Sequence, residues 1–239
     1  MTQLRDRLTN AVKAAAARNG ILLARYVGLR RRERLALVQR VAGQRTLLLS
    51  PGEACQLLAC LETTDRVAGD VAELGVAYGA SAKLLSICLP AGKHLHLFDT
   101  FEGLPEATAA DGVRFHAGEF SSNLEDVRRY VGTERVHYYP GLFPATTGPL
   151  NDRLFSFVHL DADLYESTLA AFDFFYERLS PGGIILCHDY PSASGVVQAL
   201  ADFFRDKPEP VVELTGYQAM VVKVGGRRPL TQATGVPEG

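Results

Sequence analysis

Residues 67–80 read Val-Ala-Gly-Asp-Val-Ala-Glu-Leu-Gly-Val-Ala-Tyr-Gly-Ala, and this stretch decides the fold. Gly69–Leu74 is a short apolar run of the kind a buried parallel strand needs, and a helical pattern begins directly after Gly79. The same alternation repeats down the chain. Further candidate strands are His94–Phe98, Val136–Tyr139, Phe155–Leu160, Gly183–His188, Val211–Leu214 and Tyr217–Val224. Helical stretches fall near Ala80–Leu89, Leu124–Val131, Thr168–Leu179 and Ala193–Phe204. Strands alternating with helices predict an α/β fold, a doubly wound seven-stranded sheet that is mostly parallel. Only Thr215-Gly216 separates the last two strands, which predicts an antiparallel hairpin there.

Upstream, residues 1–66 read as helical throughout. Leu4, Leu8, Ala11, Val12 and Ala15 recur at helical spacing, and Leu35, Val38 and Val41 repeat it. Ser50-Pro51-Gly52-Glu53 starts a helix. Ser50 accepts from orphan amides, Pro51 suits the first turn, and Glu53 holds the capping-box position. Leu57, Leu58 and Leu61 then follow on one face. The chain thus divides into a helical region at 1–66, a sheet domain at 67–224 and a tail at 225–239 expected to fray.

Composition narrows the class further. The chain has 239 residues, 47% hydrophobic and 22% charged, with a net charge of −2, which is a globular profile. No apolar run reaches the roughly 18 residues of a membrane helix, and residues 1–20 lack the apolar stretch of a secretory signal. Cys55, Cys60, Cys88 and Cys187 are scattered and form no Cys-x-x-Cys pair. That argues against a disulfide framework or zinc site and for a reducing, cytoplasmic setting. Residues 1–45 hold eleven Lys and Arg against Asp6 and Glu33, a net +9 that leaves −11 for the rest. A basic front on an acidic body suits either docking on its own chain or nucleic-acid contact. With Tyr26 as its one aromatic it has no stacking platform for single strands, which favours docking or solvation.

In a doubly wound sheet, ligands bind at the carboxyl ends of strands. The first strand ends in Glu73 and Gly75, with Gly79 beyond; this is no Gly-x-Gly-x-x-Gly, so a pyrophosphate cradle is disfavoured. Asp99, ending the second strand, suits two ribose hydroxyls. An acid–glycine loop plus a ribose acid without a phosphate cradle fits a nucleoside carrying no phosphate, and S-adenosylmethionine answers that description. The fourth strand runs into Asp161-Ala162-Asp163, and the fifth ends Cys187-His188-Asp189-Tyr190. Two carboxylates delivered to one sheet end repel unless a cation or shared proton intervenes. Mg²⁺ held by Asp161 and Asp189 is the economical resolution; the alternative is that both cap the following helices. His188 is either a third ligand or a packing residue. His159 reads as a satisfied core histidine.

Four ordered motifs carry a family resemblance. They are Val71–Ala80, Phe98–Pro105, Leu160–Thr168 and Leu179–Tyr190. Together they resemble the macrocin O-methyltransferases, class I enzymes that methylate sugar hydroxyls on antibiotics with metal assistance. The resemblance implies that Glu73, Gly75, Asp99 and Thr100 bind S-adenosylmethionine, with Glu119, Phe120, Ser121 and Ser122 near the adenine. It implies Asp161 as metal ligand and general base, and Asp189 as a second ligand. Where the family has an acid before Asp189 this chain has His188, expected as third ligand and as a bias from Mg²⁺ toward Mn²⁺. The function implied is methyl transfer to a hydroxyl of a small-molecule acceptor, a glycosylated natural product. No membrane and no specific nucleic acid is expected as partner, and homo-oligomerisation is left open. Two rivals stand: a nucleic-acid methyltransferase using the basic front, and a non-catalytic, cofactor-binding regulatory protein.

Overall fold

The computed structural model describes residues 30–225. The described residues from Arg34 onward belong to one compact unit. The helical pattern at Leu4–Ala15 and the tail beyond 225 lie outside the described residues. Helix α1 (Arg31–Ala42) and helix α2 (Pro51–Thr63) lead into the alternation β1 (Asp70–Leu74), α3 (Ala80–Ile87) and β2 (Leu95–Asp99). Then come α4 (Leu124–Val131), β3 (Val136–Pro140), β4 (Phe155–Leu160), α5 (Tyr165–Tyr176), β5 (Leu179–His188) and α6 (Ser194–Phe204). The hairpin β6 (Val212–Glu213) and β7 (Gln218–Val222) closes the chain.

The seven strands order as β3-β2-β1-β4-β5-β7-β6. All pairings are parallel except β5–β7 and β6–β7. This is the doubly wound sheet and terminal hairpin that the sequence pattern predicts. Strand order reverses between β1 and β4, so a crevice opens beyond their carboxyl ends. β1 and β4 are buried along their whole length, which is why both read as apolar runs rather than alternations. Phe98, Phe155, Phe157, Phe172 and Phe175 are among the largest fully buried side chains.

Residues 43–50 are not helical, so the helical reading of 1–66 is corrected there. Gly43 amide bonding to Gln39 ends α1, and Ser50 begins the next helix. The capping box forms as the sequence predicts, with Ser50 Oγ accepting from Glu53 N and Glu53 accepting from Ser50 N. Two cations of the basic front pair with this chain's own acids. Arg34 meets Glu62 at 2.6 Å, and Arg45 meets Asp126 at 2.8 Å while lying over the Tyr130 ring. Buried Lys93 donates to Thr64 O, Val67 O and Ser156 Oγ, tying the end of α2 to the sheet. Among the described residues no helix is long and apolar enough to cross a membrane.

Candidate active site

The polar residues gather where the strands end. After Leu74 the chain turns at Gly75 (φ 88°) against the backbone of Asp161. A Cβ at Gly75 would overlap the Asp161 carbonyl, so glycine lets the β1 and β4 ends touch. Asp99 then fixes the loop after β1. Its Oδ2 accepts from the Val76 and Ala77 amides at 2.7 and 2.8 Å, and its Oδ1 from the Phe101 amide at 2.6 Å. A carboxylate has about four lone-pair sites. Three are taken by backbone, and Asp99 still lines a cavity of about 300 Å³.

Gly75, Asp99, Thr100, Glu119 and Phe120 form one part of that cavity's wall, and Asp161, Asp163, His188 and Asp189 another. Thr100 Oγ1 donates to Gly103 O at 2.7 Å and so shapes the loop after β2. In the second part, His188 Nδ1 lies 3.0 Å from Asp161 Oδ1 and 3.2 Å from Asp189 Oδ2. Burial works against charge on His188, but the neighbouring Asp161 and Asp189 carboxylates overcome it and raise the imidazole pKa far above its ordinary value. Burial, then the Asp161 and Asp189 charges, hold the Asp163 carboxyl well above the usual range.

Backbone conformation marks the same place. Ala77, Phe101, Phe120, Asp163 and Asp189 all have φ between 43° and 62°. Left-handed conformations cost non-glycine residues energy and collect at functional sites. Four of the five line the cavity.

Two expected cofactor residues stand off the cavity wall. Glu73 does not reach the cavity: it is fully buried, and Oε1 lies 2.8 Å from His159 Nδ1 on the adjacent strand. Strand pairing sets Glu73 opposite His159, so the carboxylate meets the core histidine in the sheet. Ser121 is exposed and off the cavity wall, whereas Ser122 Oγ donates to Ala77 O and braces the loop after β1. The remaining expected residues, including Asp161, His188 and Asp189, do converge.

Sequence reasoning missed four contributors. Asp163 stood in view within Asp-x-Asp, but nothing local showed that it faces Asp189. Arg114 lies 3.5 Å from Asp189 Oδ1 and over the Phe115 ring, on a long loop without a motif. Asp111 accepts from Tyr165 N at 2.6 Å, capping α5 from a remote loop, because the N-cap residue Leu164 offers no side-chain acceptor. Glu53, read only as a helix cap, also accepts from Tyr217 N at 2.7 Å and lies 3.9 Å from His188 Nε2.

A seven-stranded sheet in this order, with a nucleoside-sized cavity across the β1–β4 reversal and acids on its floor, defines a class I methyltransferase. The chain matches the macrocin-O-methyltransferase (TylF) family over residues 54–216. It belongs to that family and is an O-methyltransferase. A tetracenomycin-sugar enzyme of Streptomyces olivaceus, 8-demethyl-8-(2,3-dimethoxy-alpha-L-rhamnosyl)-tetracenomycin-C 4'-O-methyltransferase, is 34% identical over 181 residues, 66% of this chain and 67% of its own. Demethyldecarbamoylnovobiocin O-methyltransferase of Streptomyces niveus is 30% identical over 155 residues, 55% of this chain and 57% of its own. The solved O-methyltransferase NovP superimposes with a TM-score of 0.62 at 22% identity, covering 71% of this chain and 78% of that one, a likeness of fold.

Proposed function

We propose that the chain transfers the methyl group of S-adenosylmethionine to a sugar hydroxyl of a glycosylated natural product. The observation that carries this is the joining of two sets of residues in one cavity. Gly75, Asp99, Thr100, Glu119 and Phe120 suit an uncharged-ribose nucleoside, and Asp161, His188 and Asp189 suit an acceptor oxygen. The relatives' sugar-modifying names support the acceptor class.

Methyl transfer is an in-line displacement: the C–O bond forms as the C–S bond breaks, S-adenosylhomocysteine leaves, and the hydroxyl proton must go to a base. Nucleophile and methyl carbon need to be held about 3 Å apart and aligned. The Gly75 turn brings the backbone of the cofactor loop against Asp161 itself, so cofactor and base share one rigid contact. Asp161 accepts the proton. His188, bridging Asp161 and Asp189, fixes the Asp161 carboxylate in orientation.

Asp161, His188 and Asp189 each offer one donor atom, and these atoms lie within 4.8 Å of one another. Two oxygens and a nitrogen at that spacing fit a divalent ion of the Mn²⁺ or Mg²⁺ kind. Such an ion would orient the acceptor oxygen and lower its pKa. The free Cys187 thiol supports a reducing, cytoplasmic setting. The test is transfer of labelled methyl from S-adenosylmethionine across a panel of glycosides. Label in one or more glycosides is the expected result; bound cofactor without transfer to any hydroxyl would return the non-catalytic reading, and label in RNA the nucleic-acid one.

A further inference from the structure

A cluster of imidazoles lies at the opposite end of the sheet from the cavity. His94 directly precedes β2, His96 lies within it, and His137 and Tyr139 lie on the adjacent β3. The β2–β3 register pairs His96 with His137 and Phe98 with Tyr139. Residues two apart along a strand share a face, so these four side chains stand on one face of the sheet. β1 brings Asp70 to the same place as its first residue.

His94 Nδ1 lies 2.8 Å from His137 Nε2, and the two ring centres are 5.0 Å apart. That separation is close to the nitrogen contact plus the two ring radii, so the rings meet nearly nitrogen to nitrogen, their lone-pair axes converging on the space between. The His137 ring also stacks on His96 at 5.1 Å. His96 is itself pinned, with Nδ1 3.0 Å from the Tyr139 hydroxyl and Nε2 3.1 Å from Asp70 Oδ2. The His94 backbone is fixed on both sides. Its N–H donates to Asp70 Oδ1 at 2.9 Å, and its carbonyl accepts from the Val71 amide at 2.9 Å.

Two neutral imidazoles share one proton across such a gap, and a metal ion can take that proton's place. Burial, then the His96 and His94 rings, lowers the His137 pKa, so its ring is neutral at pH 7 and keeps a lone pair for a ligand. Asp70 lies behind the imidazoles, its charge partly offset by Arg153 at 3.7 Å. Binding therefore falls to the nitrogens, and imidazole donors suit Zn²⁺, Cu²⁺ or Ni²⁺ rather than Mg²⁺. Tetrahedral Zn–N bonds of about 2.0–2.1 Å set two nitrogens about 3.3 Å apart, so the pair has to open by about half an ångström. His137 is exposed and His94 half-buried, which leaves room for that movement and for water to complete the shell.

We propose that His94 and His137 form a binding site for a divalent transition-metal ion of the zinc or copper kind, separate from the cavity cluster of Asp161, His188 and Asp189. The ion clips β3 to β2. Among the described residues β3 is an edge strand, and its far end runs into Gly141 and Leu142 of the cavity wall. The site thus holds that strand at the end remote from the reacting groups, and it stands whether or not the methyl-transfer reading does.

The test is calorimetry of Zn²⁺ binding to tag-free protein at pH 7, in wild type, His94→Gln, His137→Gln and Asp161→Asn. One binding event weakens roughly tenfold or more in each histidine variant and persists in Asp161→Asn, where the cavity cluster is broken. Thermal unfolding gives a second reading. Zn²⁺ raises the Tm of Asp161→Asn, because an ion that binds the folded chain stabilises it, and leaves the Tm of the double variant Asp161→Asn/His137→Gln unmoved. Without metal the two have closely similar Tm values, which separates lost binding from misfolding. Unchanged Zn²⁺ affinity in both histidine variants, loss of the event in Asp161→Asn, or adventitious binding at millimolar Zn²⁺ alone overturns the proposal.

Discussion

Asp99 holds backbone with its carboxylate and still faces the cavity. It gathers the amides of Val76, Ala77 and Phe101 and so shapes the two loops at the proposed nucleoside end of the cavity. Asp99→Ala removes a charged hydrogen-bond partner and frees both loops, and cofactor affinity should fall by about 1.5–3 kcal/mol by calorimetry. Unchanged affinity would take Asp99 out of the site. On the proposed mechanism Asp161 should bear more of the chemistry than Asp189, since it meets both the Gly75 turn and His188. Asp161→Asn should abolish turnover while calorimetry still finds the cofactor bound. Asp189→Asn should give a milder loss, because Asp163 and Arg114 remain on that side of the cluster. Equal losses in the two variants would contradict this division of roles.

At the scale of elements, the site depends on contacts between segments far apart in sequence. Asp111 sits in a short 3-10 turn and accepts from Thr108 N and Oγ1 as well as Tyr165 N, joining the long loop after β2 to the start of α5. Arg114, Glu119 and Phe120 ride on that loop. Asp111→Ala should cost about 1 kcal/mol for the lost cap and weaken cofactor binding as well, read as a lower Tm together with a higher Kd. A lower Tm with an unchanged Kd would limit Asp111 to helix capping. Glu53 links α2 to the β6–β7 turn in the same way. Burial raises its pKa, but the nearby His188 imidazole and hydrogen bonds from Tyr217 and Ser50 outweigh this and lower it from 4.5 to about 2. A folded pKa below the unfolded one gives stability that is present above pH 4.5 and lost as pH falls toward 2. Acid unfolding should therefore be shallower across that window in Glu53→Gln than in wild type. Parallel acid limbs would remove Glu53 from the linkage.

At the scale of the molecule, the doubly wound sheet brings the acids of β2, β4 and β5 to one cavity, the proposed meeting place of cofactor and acceptor. His188 beside Asp161 and Asp189 leaves the cluster less anionic than three carboxylates would be and offers a nitrogen donor, which favours ions that accept imidazole. Activity should fall on chelation and return with divalent ions, Mn²⁺ restoring it better than Mg²⁺, and His188→Asp should reverse that order. Full activity after exhaustive chelation would leave Asp161 as an unaided base.

The sequence by itself determined the architecture. Buried parallel strands and their covering helices write local, repeating patterns, so Phe155–Leu160 and Leu124–Val131 were delimited to the residue. The capping box at Ser50 was legible because both its partners lie within three residues. Asp99, Asp161 and Asp189 were legible because the end of a strand is a local property, and the fold class says which end binds. Only the tertiary structure decided where each carboxylate points. Glu73 and Asp99 both end strands, yet strand pairing turns Glu73 to His159 in the core while Asp99 faces the cavity. Asp111 beneath α5, Arg114 beside Asp189 and Tyr217 on Glu53 are joined across tens to more than a hundred residues. No local pattern records such contacts, because they arise when the crossovers fold back and chain separation no longer measures distance.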